Sequence, residues 1–181
     1  MSFLKKYAWL ILLLTLAGYF IGRYLYMKPS FIHGETVPDF TVVDRISGDS
    51  LLLSDLRGSF VLIDFWGSWC GPCRRDNKAL SEVYLEFSDR TFRSANGFEI
   101  VGVAIEQNEK AWAAALEKDN IPWPYHRIDY SPSLRFLNGP VASLYRVKQV
   151  PTKYLINPKG VIMGINPSAE ELRDMLASAT D

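Results

Sequence analysis

The hydrophobic period of the chain changes several times, and each change marks an element. From Tyr7 to Gly22 no residue is charged and most are apolar, close to the ~20 residues that cross a bilayer as a helix. Thr41-Val42-Val43 and Leu51-Leu52-Leu53, separated by the turn-forming Ser47-Gly48-Asp49-Ser50, predict a hairpin. Phe60 to Phe65 is apolar except for Asp64, as a strand covered on both faces requires. A helix-favouring stretch then runs from Arg74 to about Ser88, and Phe98 to Ile105 predicts a second buried strand. Between Glu109 and Asp119 the side chains Ala111, Trp112, Ala115 and Leu116 fall on one helical face. Tyr125 to Ile128 predicts a short strand and Val141 to Tyr145 a helical turn. Lys153–Ile156 and Val161–Met163, joined by Asn157-Pro158-Lys159-Gly160, predict a second hairpin. Ser168 caps a final helix that carries Glu170 and Glu171 in its first turn. Strands and helices alternating in this way predict an α/β sandwich around a mixed sheet.

The N-terminal run reads as an anchor. Lys5-Lys6 precede it, Trp9 stands near one end, and Tyr24 and Tyr26 follow at the other, where Arg23 can snorkel and lengthen the span. Residues 1–6 are expected to stay on the cytoplasmic side, 7–27 to form a transmembrane signal anchor, and 28–36 to link it to a folded domain of residues 37–181. The rival is a cleaved signal peptide ending near Thr15-Leu16-Ala17. Against it, the apolar run continues through Gly18-Tyr19-Phe20-Ile21. No cysteine lies nearby, which excludes lipid attachment at a cysteine. Both readings put the folded domain on the periplasmic or extracytoplasmic side of the cytoplasmic membrane.

Composition narrows the chemistry. With 20 basic and 20 acidic side chains the net charge is zero, so nothing electrostatic points to nucleic acid as a partner. The 2 cysteines both fall in Trp66-Gly67-Ser68-Trp69-Cys70-Gly71-Pro72-Cys73, where a buried strand turns into a helix. Unpaired N–H groups and the macrodipole at a helix N-terminus stabilise an anion. Such sites bring a thiol down from its usual pKa of about 8.5 to roughly 7 or lower, which makes Cys70 a thiolate nucleophile. A zinc site would need four ligands, and His33 and His126 have no ligand-like spacing. No metal and no cofactor beyond the dithiol itself is expected.

Asp64-Phe65-Trp66, the Trp69-Cys70-Gly71-Pro72-Cys73 segment and Val150-Pro151-Thr152 together resemble thioredoxin. Val37-Pro38-Asp39-Phe40, Leu53-Ser54-Asp55-Leu56-Arg57-Gly58 and Phe98-Glu99-Ile100-Val101-Gly102-Val103 narrow the resemblance to the membrane-tethered TlpA/ResA-like thiol–disulfide oxidoreductases. These belong to the wider redoxin superfamily that also holds the peroxiredoxins. The resemblance runs from about Gly34 to the C-terminus. It implies a thioredoxin fold with an added N-terminal hairpin and a central insert, here about residues 106–140.

The resemblance also assigns roles. Cys70 attacks a substrate disulfide, and Cys73 resolves the mixed disulfide. Asp64 is the buried proton acceptor for Cys73; an aspartate in an apolar strand is costly unless partnered, and burial raises its pKa. The bland alternative is a strand-end aspartate reaching solvent. Pro151 lies across from the dithiol in cis, leaving Val150 free to pair with an extended substrate, with Thr152 completing the motif. Trp69, Gly71 and Pro72 form the surface around Cys70. Gly71-Pro72 matches thioredoxin itself, a reductant. Clients would be disulfide-bearing exported proteins, with apocytochrome c among the candidates, and a membrane thiol reductase would return electrons. Copper-delivery relatives of the fold space their cysteines differently. A thiol peroxidase would need a Pro-x-x-x-Thr-x-x-Cys loop that the residues before Cys70 do not supply, and a pure client-binding module would not need the cysteine pair. Departures from the family pattern are Asp76 in place of glutamate, Lys78 in place of proline, and Gly67 in place of alanine. They weigh against assignment to cytochrome c maturation. The aromatic group Trp112, Trp123 and Tyr125 reads first as core packing and second as a substrate surface.

Overall fold

Seven strands make one sheet, and the burial of each follows from its period. The computed structural model describes residues 2–180, without the side chains of residues 2–6. Lys5 and Lys6, on which the sidedness of residues 1–6 rests, thus lie outside the described side chains. Helix α1 (Ser2–Met27) is continuous, and its Tyr7–Met27 portion is long and apolar enough to cross a membrane, with none of it buried against the protein. Strands β1 (Thr41–Asp44) and β2 (Ser50–Leu52) form the expected hairpin. The central strands are β3 (Phe60–Trp66) and β4 (Phe98–Glu106), followed by β5 (Tyr125–Tyr130), β6 (Thr152–Ile156) and β7 (Ile162–Ile165). Their order is β2-β1-β5-β4-β3-β6-β7. Strands β3, β4 and β5 run parallel, whereas β6 is antiparallel to β3 and β1 antiparallel to β5.

Every residue of β3 is buried, because the sheet is covered on both sides. Leu62 and Trp66 join Leu80, Ile100, Trp123 and Leu172 in one core, beneath α2 (Gly71–Phe87) and α5 (Ala169–Ala177). Val61, Ile63 and Phe65 point the other way, into a core with Val101, Val103, Tyr145 and Tyr154. Helix α4 (Pro140–Leu144) contributes Val141 and Ala142 to that second core. Helix α3 (Glu109–Lys118) places Ala115 and Leu116 against the first. The expected Ser168 cap is a full capping box with Glu171.

One detail differs from the sequence reading. The second hairpin is displaced: its outer strand starts at Ile162 rather than Val161, because Val161 pairs with Thr36 at an isolated bridge. Residues at the end of the expected linker therefore lie along the sheet edge, with the Gly34 and Val37 N–H groups donating to Ile162 and Gly160 carbonyls. The expected insert, 106–140, is built into the sheet. It supplies β5, which sits inside the sheet between β1 and β4, and Trp123, only 1% exposed and ring-packed on Tyr84. Packing accounts for Trp123, whereas Trp112 and Tyr125 are half-buried against different cores.

Candidate active site

The dithiol loop hangs from the ends of β3 and β4. Cys70 is the N-cap of α2, with extended backbone, and Pro72 lies in the first turn, where its missing N–H costs nothing. Cys70 and Cys73 are joined in a disulfide. The Cys73 N–H points at Cys70 Sγ, 3.2 Å away, so the first sulfur stands where the helix presents its unpaired donors. Cys73 is fully buried and Cys70 nearly so, whereas Gly71 and Pro72 are exposed beside them. Among the described residues no cluster of three or more His, Cys, Asp or Glu side chains has metal-binding placement.

Trp69 folds back from the loop. Its Nε1 donates to the Ile105 carbonyl at 2.9 Å, while the residue as a whole remains 43% exposed next to Cys70. A methyl group on Gly67 would lie 2.5 Å from Trp69 Nε1. The glycine in place of the family alanine therefore has a local cause: it makes room for this indole. Ser68, between them, donates through its N–H and its hydroxyl to the two carboxylate oxygens of Glu106, the last residue of β4.

Across from the disulfide the Val150–Pro151 peptide is cis. The Val150 carbonyl oxygen is 4.0 Å from Cys70 Sγ. Thr152 is buried, and its hydroxyl donates to the Gln149 carbonyl at 2.8 Å, bracing the turn before Pro151. Cys70, Cys73, Trp69, Gly71, Pro72 and Val150-Pro151-Thr152 are thus gathered at one end of the sheet.

Asp64 lies within the sheet rather than at a solvent-reaching end, at 1% exposure. Burial pushes its carboxyl up to about 7, against the pull of the Lys153 ammonium and with a further push from Asp76. Lys153 is the register partner of Asp64 on β6, is itself buried, and ion-pairs with Asp76 on α2. Sequence reasoning missed both Lys153 and Glu106. A signal existed for Lys153: a lone charge in the apolar run Thr152-Lys153-Tyr154-Leu155-Ile156. None existed for Glu106, which reads as an ordinary polar strand end.

A family model described as AhpC/TSA matches residues 33–165. The chain belongs to that family. Thioredoxin-like protein YneN of Bacillus subtilis is 30% identical over 177 residues, 95% of each chain. Thiol-disulfide oxidoreductase ResA of Bacillus subtilis is 28% identical over 86% of this chain and 79% of its own length. For the ResA of Oceanobacillus iheyensis the match, also 28% identical, covers 71% of this chain and 62% of the relative. Among solved structures, the thioredoxin domain of a thiol-disulfide oxidoreductase from Bacteroides vulgatus superposes with a TM-score of 0.67 at 28% identity. That match covers 82% of this chain and 98% of that one. A thiol:disulfide interchange protein from Bacteroides sp. gives 0.65 at 28% identity, over 82% and 90%. The protein is therefore a thiol–disulfide oxidoreductase with a thioredoxin-like fold, its redox centre its own cysteine pair.

Proposed function

We propose that the protein is anchored in the cytoplasmic membrane by residues 7–27 and faces the extracytoplasmic side, where it reduces disulfides in exported proteins. The observation that carries this reading is the dithiol at the start of α2, with the first sulfur facing the Val150 carbonyl of the cis-proline turn. In the reduced protein the Cys70 thiolate attacks one sulfur of a client disulfide. A Cys70–client bond forms, and the second client sulfur leaves as thiolate. The client backbone pairs with Val150 and rests against Trp69, Gly71, Pro72, Pro151 and Thr152. Cys73 loses its proton to Asp64 and attacks Cys70 Sγ. The Cys70–Cys73 disulfide forms, the client leaves as a dithiol, and two electrons have passed to it. A membrane thiol reductase then reduces the pair by the reverse exchange.

Mixed-disulfide trapping in the native cell with Cys73→Ala tests this. A set of exported disulfide-bearing proteins held on Cys70 supports a general reductase, and apocytochrome c alone would narrow the role to haem attachment. An empty trap would overturn the reading. Its direction is tested by equilibration with glutathione: thioredoxin sits near about −270 mV and the oxidant DsbA near about −120 mV, and a value close to the latter would reverse it. Membership of a family named for AhpC gives one reason to hold a thiol peroxidase as the second reading. Rapid turnover of hydrogen peroxide by the purified protein would favour it.

A further inference from the structure

We propose that Glu106 is a positioning residue of the dithiol: its buried carboxylate fixes the loop before Cys70 and its negative charge keeps the pair reducing. The inference builds on the reductant reading above. Glu106 ends β4 at 2% exposure. The ion pairs among the described residues join other side chains, so its partners are the two Ser68 donors. A buried carboxylate without a cation is costly in a structural role, and an apolar or amide side chain would serve a strand end at lower cost. What the carboxylate does here is specific to the loop. It holds both donors of Ser68, while the carbonyl of its neighbour Ile105 holds the Trp69 indole. The Cys70 N–H closes the turn onto the Gly67 carbonyl at 3.0 Å. Residues 67–70 are thus moored to the end of β4 at two side chains and closed by one backbone bond.

The charge has a consequence of its own. A carboxylate beside the loop opposes a second negative charge on Cys70, so it raises the thiol pKa and disfavours the thiolate. The helix N-terminus acts in the opposite sense. Because a stabilised thiolate makes a pair more oxidising, Glu106 offsets part of the helix effect and holds the pair on the reducing side. Burial raises the carboxyl of Glu106 above its ordinary value, and the two Ser68 bonds, which favour the ionised form, oppose that rise.

Glu106→Gln separates mooring from charge. The amide oxygen still accepts from the Ser68 N–H and the amide NH2 can donate to its hydroxyl, so the loop stays moored while the charge is gone. In the full chain in detergent, the equilibrium constant with glutathione should move about threefold to tenfold toward the reduced dithiol. The midpoint of Cys70 alkylation against pH should fall with it. Glu106→Ala should show the same charge effect and, in addition, a shifted Trp69 fluorescence as the loop comes loose. If Glu106→Gln matches the parent protein in both the equilibrium constant and the alkylation midpoint, the proposal is overturned, whatever happens to thermal stability. A parent potential in the oxidant range would instead end the reductant reading and leave the difference between the two proteins to decide on Glu106.

Discussion

Asp64 shows how one residue's environment sets its chemistry. Its strand is apolar on both faces, so the carboxyl is held neutral to about pH 7, the range in which a general base accepts and releases protons most effectively. Asp64→Asn should slow resolution of the mixed disulfide by about a hundredfold and remove the inflection near pH 7 from the rate of that resolving step. Stopped-flow measurement on a model disulfide peptide checks both, and an unchanged profile would refute the relay. Lys153 tunes that value, because its ammonium pulls the Asp64 carboxyl down while Asp76 pushes it up. Lys153→Met should therefore move the inflection above pH 7. At this scale the cysteine pair, Asp64 and Pro151 were legible because motif spacing is local and the resemblance is dense around them. Lys153 and Glu106 were not. They reach the site from β6 and β4 by register, and no local pattern in the sequence encodes which residue of one strand lies beside which of another.

Element existence was legible for a related reason. The periods of β3, β4 and α2 reflect which faces are buried, and burial is what the sequence pattern records. The role of 106–140 was not, because a strand inserted inside a sheet and a strand in a surface excursion have similar short apolar patterns. Placement of β5 against β4 brings Asp129 beneath α4. Asp129 is fully buried, and its two oxygens accept from the Val141 and Ala142 N–H groups, the helix start that leads toward Val150. A methyl on Gly139 would lie 2.3 Å from Asp129 Oδ2, so the carboxylate is packed against the turn as well as bonded to it. Asp129→Ala would leave two buried donors unpaired. It should cost about 2–6 kcal/mol, at about 1–3 kcal/mol per unsatisfied group, seen as a lower urea midpoint with the slope unchanged.

At the scale of the molecule two buried titrating groups oppose each other. Asp64 is neutral when folded up to about pH 7 but ionises from 3.8 upward when unfolded. Its raised value favours the folded state fully below the unfolded pKa, and that contribution is lost as pH rises through about 7. His126 behaves in the opposite sense. Burial holds it neutral down to about pH 4 against an ordinary value of 6.5, helped by Arg45 and opposed by its bond to the Trp123 carbonyl. Its contribution is present above 6.5 and is lost as pH falls through about 4. Between about pH 4 and 6.5 the folded state therefore carries one proton on Asp64, and the unfolded state one on His126. The two slopes cancel, and this pair leaves stability flat across the window. Asp64→Asn removes one side of the balance, so stability relative to the parent should rise with pH by about 1.4 kcal/mol per unit. His126→Gln should give the opposite slope. Comparing each variant with the parent removes the contributions of Glu99 and Glu106, whose carboxyls burial also raises. Urea unfolding of the oxidised chain in detergent at pH 4.5, 5.5 and 6.5 measures these differences. Parallel curves for Asp64→Asn and the parent would mean that Asp64 is already ionised at pH 4.5 in the folded protein, and so too weak a base to take the proposed Cys73 proton effectively.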